Sequence, residues 1–259
     1  MSGRRPLFDL KLATSVKIGD LFVTANSIAP ALSNYTQPAL FYAHAQADHL
    51  GPYGLSIGGT AFKIRYRNRY FCLVSAHQLK SPNALYEHEE LCIHSGANNR
   101  LLTSHKAIFA ADDDELSFDA ILYEFTDVVI DERLPSSGWY PINEKEITAG
   151  NPKPIRAFAV GFPGIYNSID YSAQSYSFTP YCVWGDETAP MVPERLAFSP
   201  NPQVDFDPSG MSGSPVFGLD IDDLIPRVFF AGLLTNASKQ IFHFMPRKRL
   251  GALFRYALE

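Results

Sequence analysis

The feature that most constrains this chain is its pattern of short apolar runs. Val, Ile, Phe and Tyr gather in segments such as GGTAFKIRY, RYFCLVSA, DAILYEF, PIRAFAVGF and RVFFAGLLT. Gly, Pro, Asn and Asp separate these runs, and long segments with apolar residues at helical spacing are rare. This pattern is typical of an all-β sandwich or barrel.

Two local signals add detail to this picture. The Arg67-Asn68 pair separates the first two runs, and we interpret them as a hairpin. The final segment, PRKRLGALFRYAL, has Pro at a position that suits a first helical turn. Its apolar residues share one helical face, which predicts a C-terminal helix over 246–258. That face holds Leu250, Leu253, Phe254 and Ala257.

The chain has 259 residues, which fits one large domain or two small ones. The segment PSSGWYPINEKEITAGNPKP, at 135–154, is the best candidate for a connection between halves. We therefore expect two β subdomains, over 15–134 and 155–245, packed as one unit. The patterning from about residue 25 to 55 is weak, and we interpret that region as a long surface loop.

Charge and apolar content exclude several classes of partner. The net charge of −5 argues against nucleic-acid binding, because a protein that neutralises phosphates needs a basic face. No apolar run reaches membrane-spanning length, which argues against a membrane partner. Asp9 and Lys11 interrupt the apolar part of the N-terminal segment, so we expect no secretory signal.

The cysteines indicate a reducing compartment. There are three, Cys72, Cys92 and Cys182, and no pair has the CxxC spacing of a zinc or redox site. An odd, low count without an export signal predicts free thiols and a cytoplasmic location. A Cys72–Cys92 bridge is the alternative if the chain is exported.

A candidate base and a candidate carboxylate stand at the ends of apolar runs. FCLVSAHQL places His77 at the end of one run, where a rigid scaffold would hold it and leave it reachable. SFDAILYEF places Asp119 just before another, where a buried charge needs a partner such as a histidine N–H. The alternatives are a half-buried structural histidine and an aspartate that caps its own turn.

A candidate nucleophile lies in SGMSGSPVFG, at residues 209–218. Small residues surround Ser212, and Gly210 permits backbone conformations closed to other residues. The N–H groups of Gly210 and Ser212 could then converge on a single oxyanion. A serine hydroxyl needs a base within hydrogen-bond reach to act as a nucleophile. Taken alone, such a segment is more often a tight turn than a catalytic site.

These motifs together resemble the trypsin/chymotrypsin-like serine peptidase family, in its bacterial-type branch. The resemblance covers roughly residues 55–245, through GTAFKIRYRNRYFCLVSAHQL, FDAILYEF, AVGFPG and GMSGSPVFGL, with the candidate residues in the family's order. It implies a fold of two packed antiparallel β-barrels followed by a C-terminal helix. It also implies a serine endopeptidase that acts on proteins or peptides and needs no metal or organic cofactor.

The resemblance implies a role for each matching residue. His77 would be the general base and then the general acid, Asp119 would orient it, and Ser212 would be the nucleophile. Gly210 and Ser212 would supply the oxyanion N–H groups. GLLTNA resembles the strand that lines the substrate channel, so Thr235, Asn236 and Ala237 would contact substrate. The Thr235 hydroxyl would then be within reach of Asp119.

Specificity is harder to predict from the sequence. In many members of the family, the residue six positions before the serine forms the floor of the specificity pocket. The resemblance places Phe206 there, which would disfavour a basic substrate side chain. A one-residue shift of the loop would instead put an aspartate at that position. His243 is either a pocket residue that favours an acidic side chain or a histidine at the edge of the core. The remaining histidines show no metal-ligand spacing, and the acidic run at 112–115 lacks that of an EF-hand.

Two departures from the family pattern bear on regulation. Gln78 follows the histidine where secreted members often have cysteine, which agrees with a reducing compartment. Met211 stands where they carry the aspartate that pairs with a newly released amino terminus. We therefore expect an enzyme that is competent without processing, or one gated by a regulatory protein partner.

Two other functions are possible on the same fold. The alternatives to a serine endopeptidase are a peptide-binding or sensor module without turnover, and an esterase.

Overall fold

The structure is a computed structural model. It describes residues 15–19, 21–42, 55–79, 90–94, 100–109, 118–150, 152, 154–170, 172–173, 175–222 and 225–258. About half of the described residues are in strands and a fifth are in helices, 3₁₀ turns included.

The described residues form strands and four short helices. The strands are β1 Ser15–Ile18, β2 Leu21–Thr24, β3 Thr36–Tyr42, β4 Leu55–Tyr66, β5 Arg69–Val74, β6 Glu90–His94, β7 Leu101–Thr103, β8 Lys106–Ile108, β9 Ile121–Glu124, β10 Tyr140–Pro141, β11 Arg156–Gly161, β12 Ser168–Asp170, β13 Ser175–Ser177, β14 Tyr181–Thr188, β15 Leu196–Pro200, β16 Pro215–Asp222, β17 Ile225–Ala237 and β18 Phe242–Pro246. The helices are α1 Ile28–Ser33, α2 Thr126–Asp131, α3 Glu144–Thr148 and α4 Arg247–Tyr256.

The C-terminal half of the chain forms a closed antiparallel barrel of six strands. The strand order is β16-β11-β14-β15-β18-β17, and β17 pairs again with β16 to close the ring. Closure leaves no free sheet edge within the ring. The long strand β17 ends beside the loop that precedes β16, and both lie at one end of the barrel.

The N-terminal half forms a half-barrel. Its strands run in the order β7-β6-β3-β4-β5-β9-β8, and β10 adds to β4 in parallel. The predicted all-β class, with two barrels and a C-terminal helix, is therefore confirmed. The predicted hairpin is also confirmed, because β4 pairs with β5 through Tyr66 and Arg69. Arg67 and Asn68 have φ values of 47° and 62°, the left-handed pair that a two-residue hairpin turn requires.

The N-terminal segment departs from the predicted organisation. β1 lies parallel to β17 and β2 pairs with β1, so residues 15–24 extend the C-terminal sheet instead of beginning the first barrel. The expected loop from about 25 to 55 instead contains α1 and β3 in its described part, and residues 43–54 lie outside the described residues. The β3 strand is buried and pairs with β4. This pairing stabilises β3 as a strand, although its sequence shows little alternation of apolar and polar residues.

An aromatic core fixes one barrel against the other. Phe62 of the half-barrel packs on Phe230 of the closed barrel, with ring centroids 5.1 Å apart, and on Phe217 at 5.8 Å. All three rings are fully buried. Helix α4 closes the same core through Phe254, whose ring meets Tyr66 at 5.2 Å. The two walls of the groove between the barrels are therefore joined through one shared core.

Candidate active site

The site begins where β5 ends. Ser75 is fully buried, and a single 3₁₀ turn over Ala76–Leu79 carries His77 to the surface between the barrels. The next strand in the sheet is β9, where Ile121 pairs with Val74. This pairing places Asp119, two residues before β9, beside the histidine.

Both carboxylate oxygens of Asp119 bind His77. Oδ2 lies 2.7 Å from the ring Nδ1, and Oδ1 accepts the backbone N–H at 2.8 Å. Burial of the Asp119 side chain opposes its ionisation, but hydrogen bonds from His77 and Ser75 outweigh this effect and hold the pKa of Asp119 below its ordinary value. The aspartate is therefore a fixed negative charge that sets the position of the imidazole ring.

The imidazole ring connects Asp119 to Ser212. Because Nδ1–H donates to the carboxylate, the neutral ring has an unprotonated Nε2 that can accept a proton. The hydroxyl oxygen of Ser212 lies 3.0 Å from this Nε2. Carboxylate, imidazole and hydroxyl thus form a continuous hydrogen-bonded line, and the hydroxyl has a base within reach.

Two glycines shape the loop that carries Ser212. Gly210 has φ +89° and Gly213 has φ +82°, a region that other residues seldom occupy. A Cβ on Gly213 would lie 2.0 Å from the carbonyl oxygen of Thr60, and one on Gly210 would lie 2.7 Å from that of Phe162. The loop conformation therefore depends on glycine at both positions.

The half-barrel holds this loop through two residues that sequence reasoning missed. The Thr60 backbone N–H donates to the carbonyl of Ser212 at 2.9 Å, and its hydroxyl donates to the carbonyl of Gly210 at 3.0 Å. The same hydroxyl accepts the Phe162 N–H at 2.9 Å. The Gln78 amide also donates to the Ser212 carbonyl. The bonded residues are far apart along the chain, so no local pattern marks them.

Two backbone N–H groups of this loop are not used in the hydrogen bonds described above. Those of Gly210 and Ser212 have no acceptor within the part of the chain that the structure describes. The Ser209 carbonyl accepts the Gly164 N–H at 2.7 Å. Because a trans peptide points its carbonyl and N–H in opposite directions, the Gly210 N–H is turned away from Gly164. Both N–H groups are therefore available as hydrogen-bond donors, as the oxyanion role expected for Gly210 and Ser212 requires.

A cavity of about 390 Å³ adjoins these groups. It reaches the candidate substrate residues Thr235, Asn236 and Ala237. It also reaches Arg195, which the sequence did not suggest, and His243, for which a place in the pocket was one of two interpretations. Its full lining is His77, Asp119, Val192, Arg195, Pro208, Ser209, Ser212, Thr235, Asn236, Ala237 and His243.

Two expectations about the pocket need correction. Phe206 does not line the cavity, because its side chain is buried in the barrel core and packs edge-on against the rings of Tyr166 and Tyr181. The neighbouring Asp207 is not among the residues that line the cavity either, and its carboxylate accepts the N–H and hydroxyl of Ser209. The Thr235 hydroxyl donates to the carbonyl of His243 at 3.4 Å, and not to Asp119.

The cysteines lie away from this chemistry. All three thiols are free, so the alternative Cys72–Cys92 bridge is absent. Burial raises the pKa of Cys92 and Cys182 to about 12 and that of Cys72 further still. Thiols with such pKa values are poor nucleophiles at neutral pH.

The family models and the curated protein sequences give no relative of this chain. No protein family model matches the chain, and no curated protein sequence matches it.

Across the described residues, no group of three or more His, Cys, Asp or Glu side chains is placed to hold a metal ion. The acidic run at 112–115 lies outside the described residues. None of the described helices is long and apolar enough to cross a membrane.

Proposed function

We propose that the protein is a serine endopeptidase of the trypsin/chymotrypsin-like family. One observation carries the proposal: a hydrogen-bonded line runs from Asp119 through His77 to Ser212. The N–H groups of Gly210 and Ser212 have no acceptor among the described residues, so they are available to an oxyanion. A structural histidine or a plain turn does not require the full line. The two-barrel fold supports the same family.

Acylation follows from these positions. The Ser212 hydroxyl oxygen bonds to a peptide carbonyl carbon while its proton moves to Nε2 of His77. Negative charge develops on the carbonyl oxygen and is stabilised by the N–H groups of Gly210 and Ser212, each worth about 2.7–4 kcal/mol in enzymes of this kind. The C–N bond then breaks, and His77 gives its proton to the leaving amine.

Deacylation repeats the same steps with water. His77 takes a proton from water as the oxygen attacks the acyl carbon. The bond between that carbon and the Ser212 oxygen then breaks, His77 returns the proton to Ser212, and the carboxylic acid product leaves. Asp119 keeps its negative charge throughout and stabilises the imidazolium that forms in each half-reaction. No metal or organic cofactor enters the cycle.

We propose that no amino-terminal insertion activates the enzyme. Met211 is fully buried in the barrel core, where a charged acceptor for a new amino terminus would otherwise stand. The loop around it is held by Thr60 and Gln78, which need no cleavage to act. The enzyme is then competent without processing, or it is gated by a regulatory protein partner. The free thiols support a cytoplasmic location, where such restraint would matter.

Cleavage of a peptide library tests the function. The wild-type protein and Ser212→Ala are incubated with mixed-sequence peptides, and products are mapped by mass spectrometry. We expect new peptide termini with the wild type and none with Ser212→Ala, while the exposed Ser137→Ala serves as a matched control. Turnover of short esters without any peptide cleavage would instead indicate an esterase, and tight peptide binding without turnover a binding module.

A further inference from the structure

Gln78 connects the turn of the proposed base to the loop of the proposed nucleophile. It follows His77 directly on the 3₁₀ turn over Ala76–Leu79, and its backbone N–H donates to the Ser75 carbonyl at 3.2 Å. Its side-chain amide N–H donates to the carbonyl of Ser212, which belongs to the closed barrel. The same residue therefore adjoins the base along the chain and holds the backbone of the nucleophile through space.

Two glycines, one from each barrel, leave the space that the Gln78 side chain occupies. A Cβ on Gly59 of β4 would lie 2.7 Å from Nε2 of Gln78, and one on Gly213 would lie 2.6 Å from the same atom. Contacts this close essentially never occur at real Cβ atoms. The backbone on both sides of the groove is thus shaped to let this one amide reach Ser212.

The Gln78 amide faces two carbonyl oxygens, because Nε2 also donates to the carbonyl of Thr60 at 3.3 Å. Rotation of the amide by half a turn would set its oxygen against both carbonyls, so its orientation is fixed. The amide oxygen, Oε1, is buried and has no hydrogen-bond partner among the described residues. A buried acceptor without a partner costs stability, which offsets part of what the two hydrogen bonds contribute. The amide is therefore better suited to fixing the position of the loop than to stabilising the whole fold.

Proton transfer depends on the distance that this contact sets. The Ser212 hydroxyl oxygen lies 3.0 Å from Nε2 of His77, and a misplacement of about 1 Å can cost about a hundredfold in rate. Thr60 also bonds the Ser212 carbonyl, but its strand β4 does not carry His77. Within the part of the chain that the structure describes, Gln78 alone joins that carbonyl to the turn on which His77 lies.

We propose that Gln78 is a positioning residue, which keeps the Ser212 hydroxyl within proton-transfer distance of His77 by holding the Ser212 carbonyl. Its consequence for catalysis rests on the proposed endopeptidase function, whereas its consequence for the loop does not. The side-chain hydrogen bonds of Gln78 go to backbone carbonyls and not to Asp119 or the imidazole ring, so loss of the amide leaves the basicity of His77 unchanged. Loss of the amide should therefore slow acylation by about tenfold to a hundredfold at every pH.

Labelling of Ser212 with a fluorophosphonate probe tests the consequence for catalysis. Rates are measured across pH for the wild type, Gln78→Met, Gln78→Lys and, as a matched control at an exposed glutamine, Gln203→Met. We expect Gln78→Met to lower the maximal rate by about tenfold to a hundredfold with the same half-maximal pH. Gln78→Lys, which restores a donor, should regain part of that rate, and Gln203→Met should match the wild type. An unchanged maximal rate, or a loss that arises only from a shift in the half-maximal pH, would overturn the proposal.

Hydrogen exchange separates this inference from the proposed function. The N–H of Gly213 donates to the Leu234 carbonyl at 2.8 Å, so its exchange rate reports on the loop. In Gln78→Met we expect this N–H to exchange roughly tenfold faster, while the amides of strand β14 keep their wild-type rates. Equal rates in both proteins, or faster exchange throughout the fold, would overturn the inference whether or not Ser212 is ever labelled. Faster exchange confined to the loop, in a protein that the probe never labels, would support the role of Gln78 and contradict the proposed function alone.

Discussion

The backbone N–H of Thr60 donates a hydrogen bond to the carbonyl oxygen of Ser212 at 2.9 Å. Thr60 belongs to β4 of the half-barrel, and Ser212 belongs to the loop before β16 of the closed barrel. The proposed nucleophile is therefore held by the barrel that also carries His77 and Asp119. This bond explains how Ser212, on one barrel, stays within hydrogen-bonding distance of His77 on the other.

The first prediction concerns the Thr60 side chain. Thr60→Val keeps its shape but leaves the Phe162 N–H without its acceptor and the Gly210 carbonyl without its donor. We expect a loss of about 1–3 kcal/mol in the free energy of unfolding, because the Phe162 N–H is buried and the Gly210 carbonyl is partly buried, together with slower acylation of Ser212. Chemical denaturation measures the loss of stability, and the rate at which a fluorophosphonate probe labels Ser212 measures the loss of reactivity. The exposed Thr103→Val is the control. An unchanged labelling rate would show that the bridge does not set the loop conformation.

Replacing Gly213 should disrupt the loop directly. In Gly213→Ala the new Cβ meets the Thr60 carbonyl at 2.0 Å, and the φ of +82° is strained for any side chain. We expect a loss of roughly 2 kcal/mol or more and no detectable peptidase activity. Gly150→Ala is the matched control, because nothing lies within 4 Å of its Cβ. If Gly213→Ala matched that control in stability, the described loop conformation would be wrong.

Asp119→Asn should abolish most of the activity while leaving the groove intact. The amide cannot hold the imidazole in the required tautomer, and the same change in a peptidase of this kind costs about 10⁴-fold in kcat. Steady-state kinetics against the cleaved library peptide measures the loss. A variant within tenfold of the wild type would remove Asp119 from the mechanism.

The same carboxylate predicts a pH dependence of stability. The pKa of Asp119 is lower in the folded chain than in the unfolded chain, where an aspartate titrates near 3.9. Its stabilisation is therefore complete above that pH and is lost as the pH falls through the lower folded value. We expect the difference in unfolding free energy between the wild type and Asp119→Asn to shrink below about pH 4. A difference that grows with acidification would contradict the assigned direction.

Barrel packing gives a prediction that is independent of chemistry. Phe62→Ala removes the ring that contacts both Phe217 and Phe230 across the barrel interface. We expect a loss of about 3–5 kcal/mol in unfolding free energy, measured by chemical denaturation, and lower activity because the two walls of the groove loosen. Phe109→Ala, at an exposed ring, should change stability by less than about 0.5 kcal/mol. Equal effects of the two changes would argue against a shared core.

The sequence allowed prediction of features that depend on local chemistry. The Arg67-Asn68 pair marks a hairpin because it separates two apolar runs and because Asn tolerates the left-handed φ that such a turn requires. The glycines around Ser212 mark a strained loop for the same reason. His77 and Asp119 could be identified because charged or polar residues at the ends of apolar runs need a partner. Each of these signals lies within a few residues of the feature it predicts.

The features that were missed depend on distant contacts. Helix α1 is only six residues long and contains Pro30, so it has no clear apolar period, and the parallel pairing of β1 with β17 has no local signature. Thr60 acts on Gly210, 150 residues away along the chain. Counting back from Ser212 cannot show which way Phe206 points, because the direction depends on the aromatic rings around it.

The most direct test of the account is covalent labelling of Ser212. The purified protein is treated with a fluorophosphonate probe, and intact-mass and peptide-mapping mass spectrometry determine the number and position of adducts. We predict a single adduct on Ser212 in the wild type, at least a hundredfold slower labelling in His77→Ala because general-base catalysis is lost, and none in Ser212→Ala. A wild-type protein that is folded but unlabelled, or labelled equally fast without His77, would contradict the central claim that these residues form an activated nucleophile.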